Sequence, residues 1–318
     1  MPEAHDLDGV LISWGDRLFY PGNRVVRART PKLRDLSRRQ RADAIRQRIE
    51  ATVLRRVPQV MVKVTGGGRG MKAIAAHLRY ISKNGRLDIE DEHGETMRGK
   101  ETLHALADDW RFGGSLIEDV SDRREAFNIM LSMQRGTDPL SVQWAAREFA
   151  KAELADHKWV MVLHDHQANP HVHLSVRAES KHGKRLNPRK TDLHRWREVF
   201  AEKLRERGID AEATRQATRG ATRNYPSLWQ VKAGEQGRLV KPSSSHRRGA
   251  TVSASRAQAR RAWQGIAEAL AKSGDAGDRK LADAIERFSR DAVPSGERPR
   301  KEVTQERPMG LLPGDRSR

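Results

Sequence analysis

Two apolar runs, Trp159-Val-Met-Val-Leu163 and Val172-His-Leu-Ser-Val176, flank a polar stretch that turns at Asn169-Pro170. Blocks of this kind on either side of an Asn-Pro pair predict an antiparallel hairpin. Two more segments read as strands. Gln59-Val-Met-Val-Lys-Val-Thr65 is β-branched and alternating, and Phe127-Asn-Ile-Met-Leu-Ser-Met133 is largely apolar. Helical periodicity fills the intervals. One helix is expected from about Gly70 to Lys83, a short one near Glu101 to Trp110, and one from Asp138 to about Leu154. Another starts at Thr191 or Asp192, carries Leu193, Trp196, Phe200 and Leu204, and stops at Gly208. The polar stretch Asp88 to Lys100 reads as a loop. The order β-α-β-α-β-β-α predicts an α+β fold, an antiparallel-rich sheet covered by helices.

The ends of the chain differ from its middle. From Asn23 to Arg56 there are twelve Lys or Arg against three acidic residues, and Leu33, Leu36, Ile45, Ile49 and Val53 fall at helical spacing behind Pro31. This predicts a basic amphipathic helix that Pro58 ends. Beyond Asn224 the periodicity fades into Pro, Ser, Gly and Arg. Helical patches survive around Trp263 to Leu270 and around Leu281, Ile285 and Phe288, and disorder is expected from Pro294 to Arg318. The expected organisation is an N-terminal extension over 1–57, a central domain over 58–224 and a partly helical, partly disordered region over 225–318.

Charge narrows the class of partner. Across 318 residues, 61 Lys and Arg against 42 Asp and Glu give a net charge of +19 and a pI near 10.7. That excess exceeds what solubility requires and points to a polyanion, of which nucleic acid is the first candidate. There is no cysteine, which removes disulfides and thiolate ligands and suits a reducing cytoplasm. No run reaches the ~18 apolar residues of a membrane span, and the expected location is cytoplasmic.

His164-Asp-His-Gln-Ala-Asn-Pro-His-Val-His173 holds the chemistry. His171 and His173 are two apart on a strand and leave the same face, and the hairpin brings His164 back beside them. Three neutral nitrogen donors favour a divalent ion such as Mg, Mn or Zn and leave coordination positions open, as a catalytic site requires. Such an ion can polarise a phosphate oxygen. Asp165 and His166 stand beside this set, suited to orienting a ligand or to facing solvent.

The chain has three tyrosines, Tyr20, Tyr80 and Tyr225. On the helix after the glycines, Met71, Ile74, Ala75 and Leu78 form the apolar stripe, and at 100° per residue Tyr80 lies about 180° from Met71. It therefore points away from the core, next to Lys83, Asn84, Gly85 and Arg86, which supply phosphate donors and a turn. A phenol titrates near 10, so nucleophilic attack near neutral pH needs a base or a nearby cation.

In this order the strand and glycine turn Val60 to Gly68, the segment His77-Leu-Arg-Tyr-Ile-Ser-Lys-Asn-Gly-Arg-Leu87, the segment Leu131-Ser-Met-Gln-Arg-Gly-Thr-Asp138 and the histidine block resemble the successive motifs of one family. It is the MobP-type relaxases of conjugative mobilization, in the HUH endonuclease superfamily, which includes the T-DNA border nuclease of plant-transforming bacteria. The resemblance covers roughly Gln59 to Thr222. It implies Tyr80 as the nucleophile that becomes linked to a 5′ phosphate, His164, His171 and His173 as holders of a divalent metal ion, and Ser132 as a contact to DNA near the scissile bond. The family has an acidic residue where this chain has His166, which leaves the catalytic base open between His166 and Asp165. Single-stranded DNA at an origin of transfer is the implied substrate. Relaxosome accessory proteins and a type IV secretion coupling protein are the implied partners, with passage to a recipient cell alongside the DNA. Lys63, Arg69, Lys72, Lys83 and Arg86 are the expected phosphate-binding residues. The same residues leave room for a rolling-circle replication initiator or transposase, for a metal-water hydrolase, and for a non-catalytic DNA-binding protein with a structural ion.

Overall fold

The computed structural model describes residues 6–19, 36–166, 169–214, 218–219, 236–238, 240 and 250–291. Its centre is one six-stranded sheet of β1 (Met61–Gly66), β2 (Ile89–Asp91), β3 (Thr96–Met97), β4 (Ala126–Ser132), β5 (His157–His164) and β6 (His171–Ser180). The spatial order is β1-β4-β6-β5-β2-β3, and every neighbouring pair is antiparallel. Among the described residues eight helices surround it: α1 (Leu7–Phe19), α2 (Arg38–Val53), α3 (Met71–Ile81), α4 (Lys100–Phe112), α5 (Pro139–Glu153), α6 (Lys190–Glu206), α7 (Ala250–Ala271) and α8 (Ala276–Asp291). The α+β fold expected from the sequence is present.

Strand alternation sorts the side chains into two layers. Ile129, Leu131, Met161, Val172, Leu174 and Val176 face α5 and α6, where they bury against Val142, Phe149, Trp196, Phe200 and Leu204. Val160 and Val162 face the other way, against Met71, Ile74, Leu78 and Ile81 of α3 and Leu103, Leu106 and Trp110 of α4. Both faces of the sheet are thus covered, which accounts for the nearly continuous apolar runs in β4 and β5. Local signals set the helix starts. The Asp138 carboxylate accepts from the Ser141 amide with Pro139 at the first helical position of α5, and Ser37 and Gln40 form a capping box on α2.

Three elements differ from the sequence reading. The stretch expected as a loop, Asp88 to Lys100, contains the β2–β3 hairpin at the sheet edge. Its Glu90 is buried and ion-paired with Arg147 of α5, a partner that no local pattern reveals. The N-terminal helix α1 carried no expectation. Thirdly, the helices at the two ends of the chain share one core. Leu11, Leu18 and Phe19 of α1 and Ile45, Ile49 and Val53 of α2 bury against Trp263, Ile266 and Leu270 of α7 and Leu281 and Ile285 of α8. This bundle is tied to the sheet domain through α6 and the segment after it: Arg48 pairs with Glu198 of α6 and with Glu212 beyond it, and a ring nitrogen of His194 donates to the Phe19 carbonyl at 3.0 Å. The expectation for Pro294 to Arg318 lies outside the described residues. No helix among the described residues is long and apolar enough to cross a membrane.

Candidate active site

The hairpin of β5 and β6 builds the histidine cluster by register. His164 pairs with His171 across the hairpin, and Ser132 of β4 pairs with His171 on its other side, so these three residues form one row across three strands. His173 lies two rows inward, between Met130 and Val162. Since Val172 and Leu174 point toward α5 and α6, His171 and His173 must point toward α3. Ring centroids are 4.6 Å apart for His164 and His173, and 5.1 Å for both His164–His171 and His171–His173. One nitrogen from each ring lies within 4.8 Å of the others.

Backbone carbonyls orient these rings. His164 Nε2–H donates to the Ile81 carbonyl at 2.7 Å, and His171 Nδ1–H donates to the Asn169 carbonyl at 2.9 Å. A neutral imidazole that donates through one nitrogen presents a lone pair on the other. His164 Nδ1 is that second nitrogen, and it is buried with no hydrogen-bond partner among the described residues. An orphaned buried nitrogen beside two more imidazole donors, with no thiolate or carboxylate in the set, fits a divalent cation held by His164, His171 and His173.

Burial disfavours the charged form here. It lowers His164, and it pushes His173 from its ordinary 6.5 down to about 3, helped by the neighbouring His164, His171 and His77. The folded His173 therefore refuses a proton that the unfolded chain accepts. Stability without metal is full above pH 6.5 and is lost as pH falls from 6.5 toward about 3. The slope approaches about 1.4 kcal/mol per pH unit for this one group. Denaturant unfolding of metal-free protein at pH values near 7 and 5 will report a lower midpoint at the acid end; equal midpoints would contradict a buried, neutral His173.

The phenol comes from α3. Tyr80 is 73% exposed, on the side of the helix opposite its buried stripe, and it lines an open concavity with Ala76, Arg79, Lys83, Asn84 and Arg86. His77 neighbours both Tyr80 and the cluster. Its ring centroid is 6.3 Å from that of Tyr80 and 6.5 Å from that of His173, so one imidazole links the phenol to the metal-ligand set. After α3 the chain turns through three consecutive left-handed residues, Lys83 (φ 51°), Asn84 (φ 59°) and Gly85 (φ 77°). The turn is held by Asn84 N–H to the Arg79 carbonyl and by Gly85 N–H to Ser82 Oγ. Two non-glycine residues in this conformation cost free energy that glycine would avoid. They set Lys83 and Asn84 beside Tyr80.

The other expected residues divide. Lys63 is exposed on β1, and its neighbour Met130 in β4 pairs in turn with His173, so this side of the sheet beyond α3 leads to the cluster. Lys72, Lys83 and Arg86 are exposed. Arg69 is exposed too, but its guanidinium donates to the Asp122 carbonyl at 2.8 Å. Ser132 is 3% exposed, and its hydroxyl donates to the Pro170 carbonyl at 3.2 Å, fastening the turn that precedes His171. His166 is exposed with its ring 5.1 Å from that of His164, and Asp165 is exposed beside it. Sequence reasoning gave no role to His77 or Arg79, whereas Asn84 was already among the expected neighbours of Tyr80. The spacing of His77, three residues before Tyr80 on a helix, was the available signal.

Part of the chain is similar to known proteins. Residues 80–209 match the profile of a relaxase family described as MobA/VirD2-like, nuclease domain; the match begins at Tyr80 and takes in all three histidines. Over 184 residues, 52% of the chain, the sequence is 24% identical to the T-DNA border endonuclease VirD2 of Agrobacterium fabrum. The aligned part is 41% of that protein, so the chain spans about two fifths of its relative's length.

Proposed function

Because the chain carries a relaxase-type domain of the MobA/VirD2-like nuclease family, we propose that it nicks single-stranded DNA at an origin of transfer by tyrosine transesterification, for conjugative mobilization. The observation that carries the reading is the placement of an exposed phenol one ring away from three converging imidazoles, in a basic concavity.

A divalent cation held by His164, His171 and His173 would supply positive charge to polarise a phosphate oxygen and to stabilise the charge that builds at phosphorus. The chain's own residues do the rest. Lys83 and Arg86, with Arg79 alongside, hold the phosphates flanking the scissile bond against Tyr80, and Lys63 and Lys72 extend the basic track. Arg69 contributes less, since the Asp122 carbonyl already occupies its guanidinium. The Tyr80 phenol oxygen bonds to phosphorus, the bond from phosphorus to the 3′ oxygen breaks, and the proton lost by the phenol is matched by one gained at the 3′ hydroxyl. No water is consumed, so the ester energy is kept in a 5′-phosphotyrosine and the strand can be rejoined. His166, exposed beside His164, is the base able to exchange that proton with solvent. Ser132 acts through the Pro170 turn that carries His171. The partners fitting this activity are origin-region single strands, relaxosome accessory proteins and a type IV secretion coupling protein, with cytoplasmic residence and transfer alongside the DNA.

Incubation of the full chain with single-stranded origin oligonucleotides and Mn²⁺ or Mg²⁺ is expected to yield a denaturation-resistant protein–DNA species. After proteolysis the DNA should remain on the peptide containing Tyr80. Cleavage without any adduct would replace this reading with hydrolysis by metal-bound water, and binding without cleavage would reduce the protein to an accessory factor.

A further inference from the structure

His77 has no task in the mechanism above, yet its placement is unusual. It lies three residues before Tyr80 on α3, hence one turn back on the same side of the helix. Its Nε2 is buried and has no hydrogen-bond partner among the described residues. Leaving a buried polar atom unpaired costs stability that an alanine, the better helix former, would avoid. His77 is also outside the set of nitrogens gathered for a cation, which comprises His164, His171 and His173.

We infer that His77 is the positioning residue of the nucleophile: its Nε2 is the hydrogen-bond partner that holds the Tyr80 phenol oxygen when that ring turns inward onto a bound phosphodiester. This inference rests on the nuclease reading given above. The geometry supplies the path. Long side chains on a helix lean back over the residues three and four positions earlier, which for Tyr80 are His77 and Ala76. Ala76 lines the same concavity and is small enough to leave room for the ring. The His77 ring borders both groups, with its centroid 6.3 Å from that of Tyr80 and 6.5 Å from that of His173, which it meets edge-on at 75°. An exposed phenol is free to change rotamer, and without a partner at the inner end of that movement its oxygen would sample many orientations relative to phosphorus.

Two variants of the full chain separate the hydrogen bond from the packing. His77→Phe keeps a half-buried ring and removes the nitrogens; His77→Gln removes the ring and keeps a side chain that hydrogen-bonds at similar reach. The readouts are the rate of adduct formation at saturating origin oligonucleotide, oligonucleotide affinity by fluorescence anisotropy, and Mn²⁺ affinity by calorimetry. His77→Phe should slow adduct formation by about tenfold or more, which corresponds to one hydrogen bond. His77→Gln should recover most of that rate, and both affinities should stay at the wild-type level. A fast His77→Phe, or a His77→Gln as slow as His77→Phe, would overturn the inference. A fall in Mn²⁺ affinity matching the fall in rate would overturn it in favour of a metal ligand. Absence of any adduct with the wild-type chain would instead bring down the nuclease reading, and this inference with it.

Discussion

Replacing His173 with alanine is expected to lower the affinity for a divalent cation by roughly a hundredfold or more, and to abolish strand cleavage with it. The expectation follows from position. His173 lies 4.6 Å from His164 and 5.1 Å from His171 by ring centroids, and its removal leaves two donors that no longer enclose a point. Loss of residues that merely support a metal ligand costs about 10- to 100-fold in affinity, and loss of a ligand itself should exceed that. The same substitution has an opposite effect on the metal-free fold at acid pH. Wild-type His173, held down to about 3, makes the fold lose stability below pH 6.5, and the alanine variant is relieved of that penalty. Calorimetric titration with Mn²⁺ and denaturant unfolding near pH 5 read the two effects separately. His166→Ala is the matched control: its ring is exposed and outside the gathered set, so cation affinity should hold while the cleavage rate falls. Unchanged cation affinity in His173→Ala would dissolve the proposed centre.

What the sequence revealed of this site follows from the range of the forces that build it. Side chains alternate along a strand, so His171 and His173 could be assigned to one face and His164 brought opposite them from the hairpin alone. The register of β5 with β6 agrees with this, pairing His164 with His171. Tyr80 could be assigned to the exposed side of α3 because Met71, Ile74 and Leu78 bury the other side. Longer-range relations were not legible. Glu90 looked like loop polarity until Arg147, 57 residues away, was placed against it. The shared core of the terminal helices needs Phe19 against Trp263, whose rings meet at 6.1 Å across most of the chain. His77 was passed over for the same reason. A lone histidine on an amphipathic helix is ordinary, and it gains meaning only when the sheet brings His173 beneath it.

The terminal bundle also alters how the basic N-terminal helix should be regarded. Expected as a basic amphipathic helix of an N-terminal extension, α2 has its apolar face buried in the bundle and several of its arginines engaged: Arg41 with Asp16, Arg46 with Asp278 and Arg48 with Glu198 and Glu212. Arginines paired within the fold have less charge to offer a phosphate backbone. Under the proposed function, the exposed Lys63, Lys72, Lys83 and Arg86 are expected to contribute more to single-strand affinity than the helix does.

Tyr80→Phe tests the chemistry at its smallest change, a single oxygen. The side chain is 73% exposed, so stability should move by no more than about 0.5 kcal/mol. The three histidines are untouched, so cation affinity should not change, and the basic residues of the concavity should still bind single strands. Formation of the covalent species should nonetheless fall by roughly 10⁴-fold or more, since no other group is bonded to phosphorus in the proposed step. Rejoining of a nicked strand should vanish in parallel, because forward and reverse reactions share the same phosphotyrosine. Phenylalanine at Tyr20 or at Tyr225, the two other tyrosines of the chain, should leave the adduct intact. The decisive measurement is a denaturing gel with end-labelled origin oligonucleotide across the three variants. An adduct that survives Tyr80→Phe and disappears with one of the others would move the nucleophile off α3. Cleavage that survives with no adduct at all would assign the reaction to water.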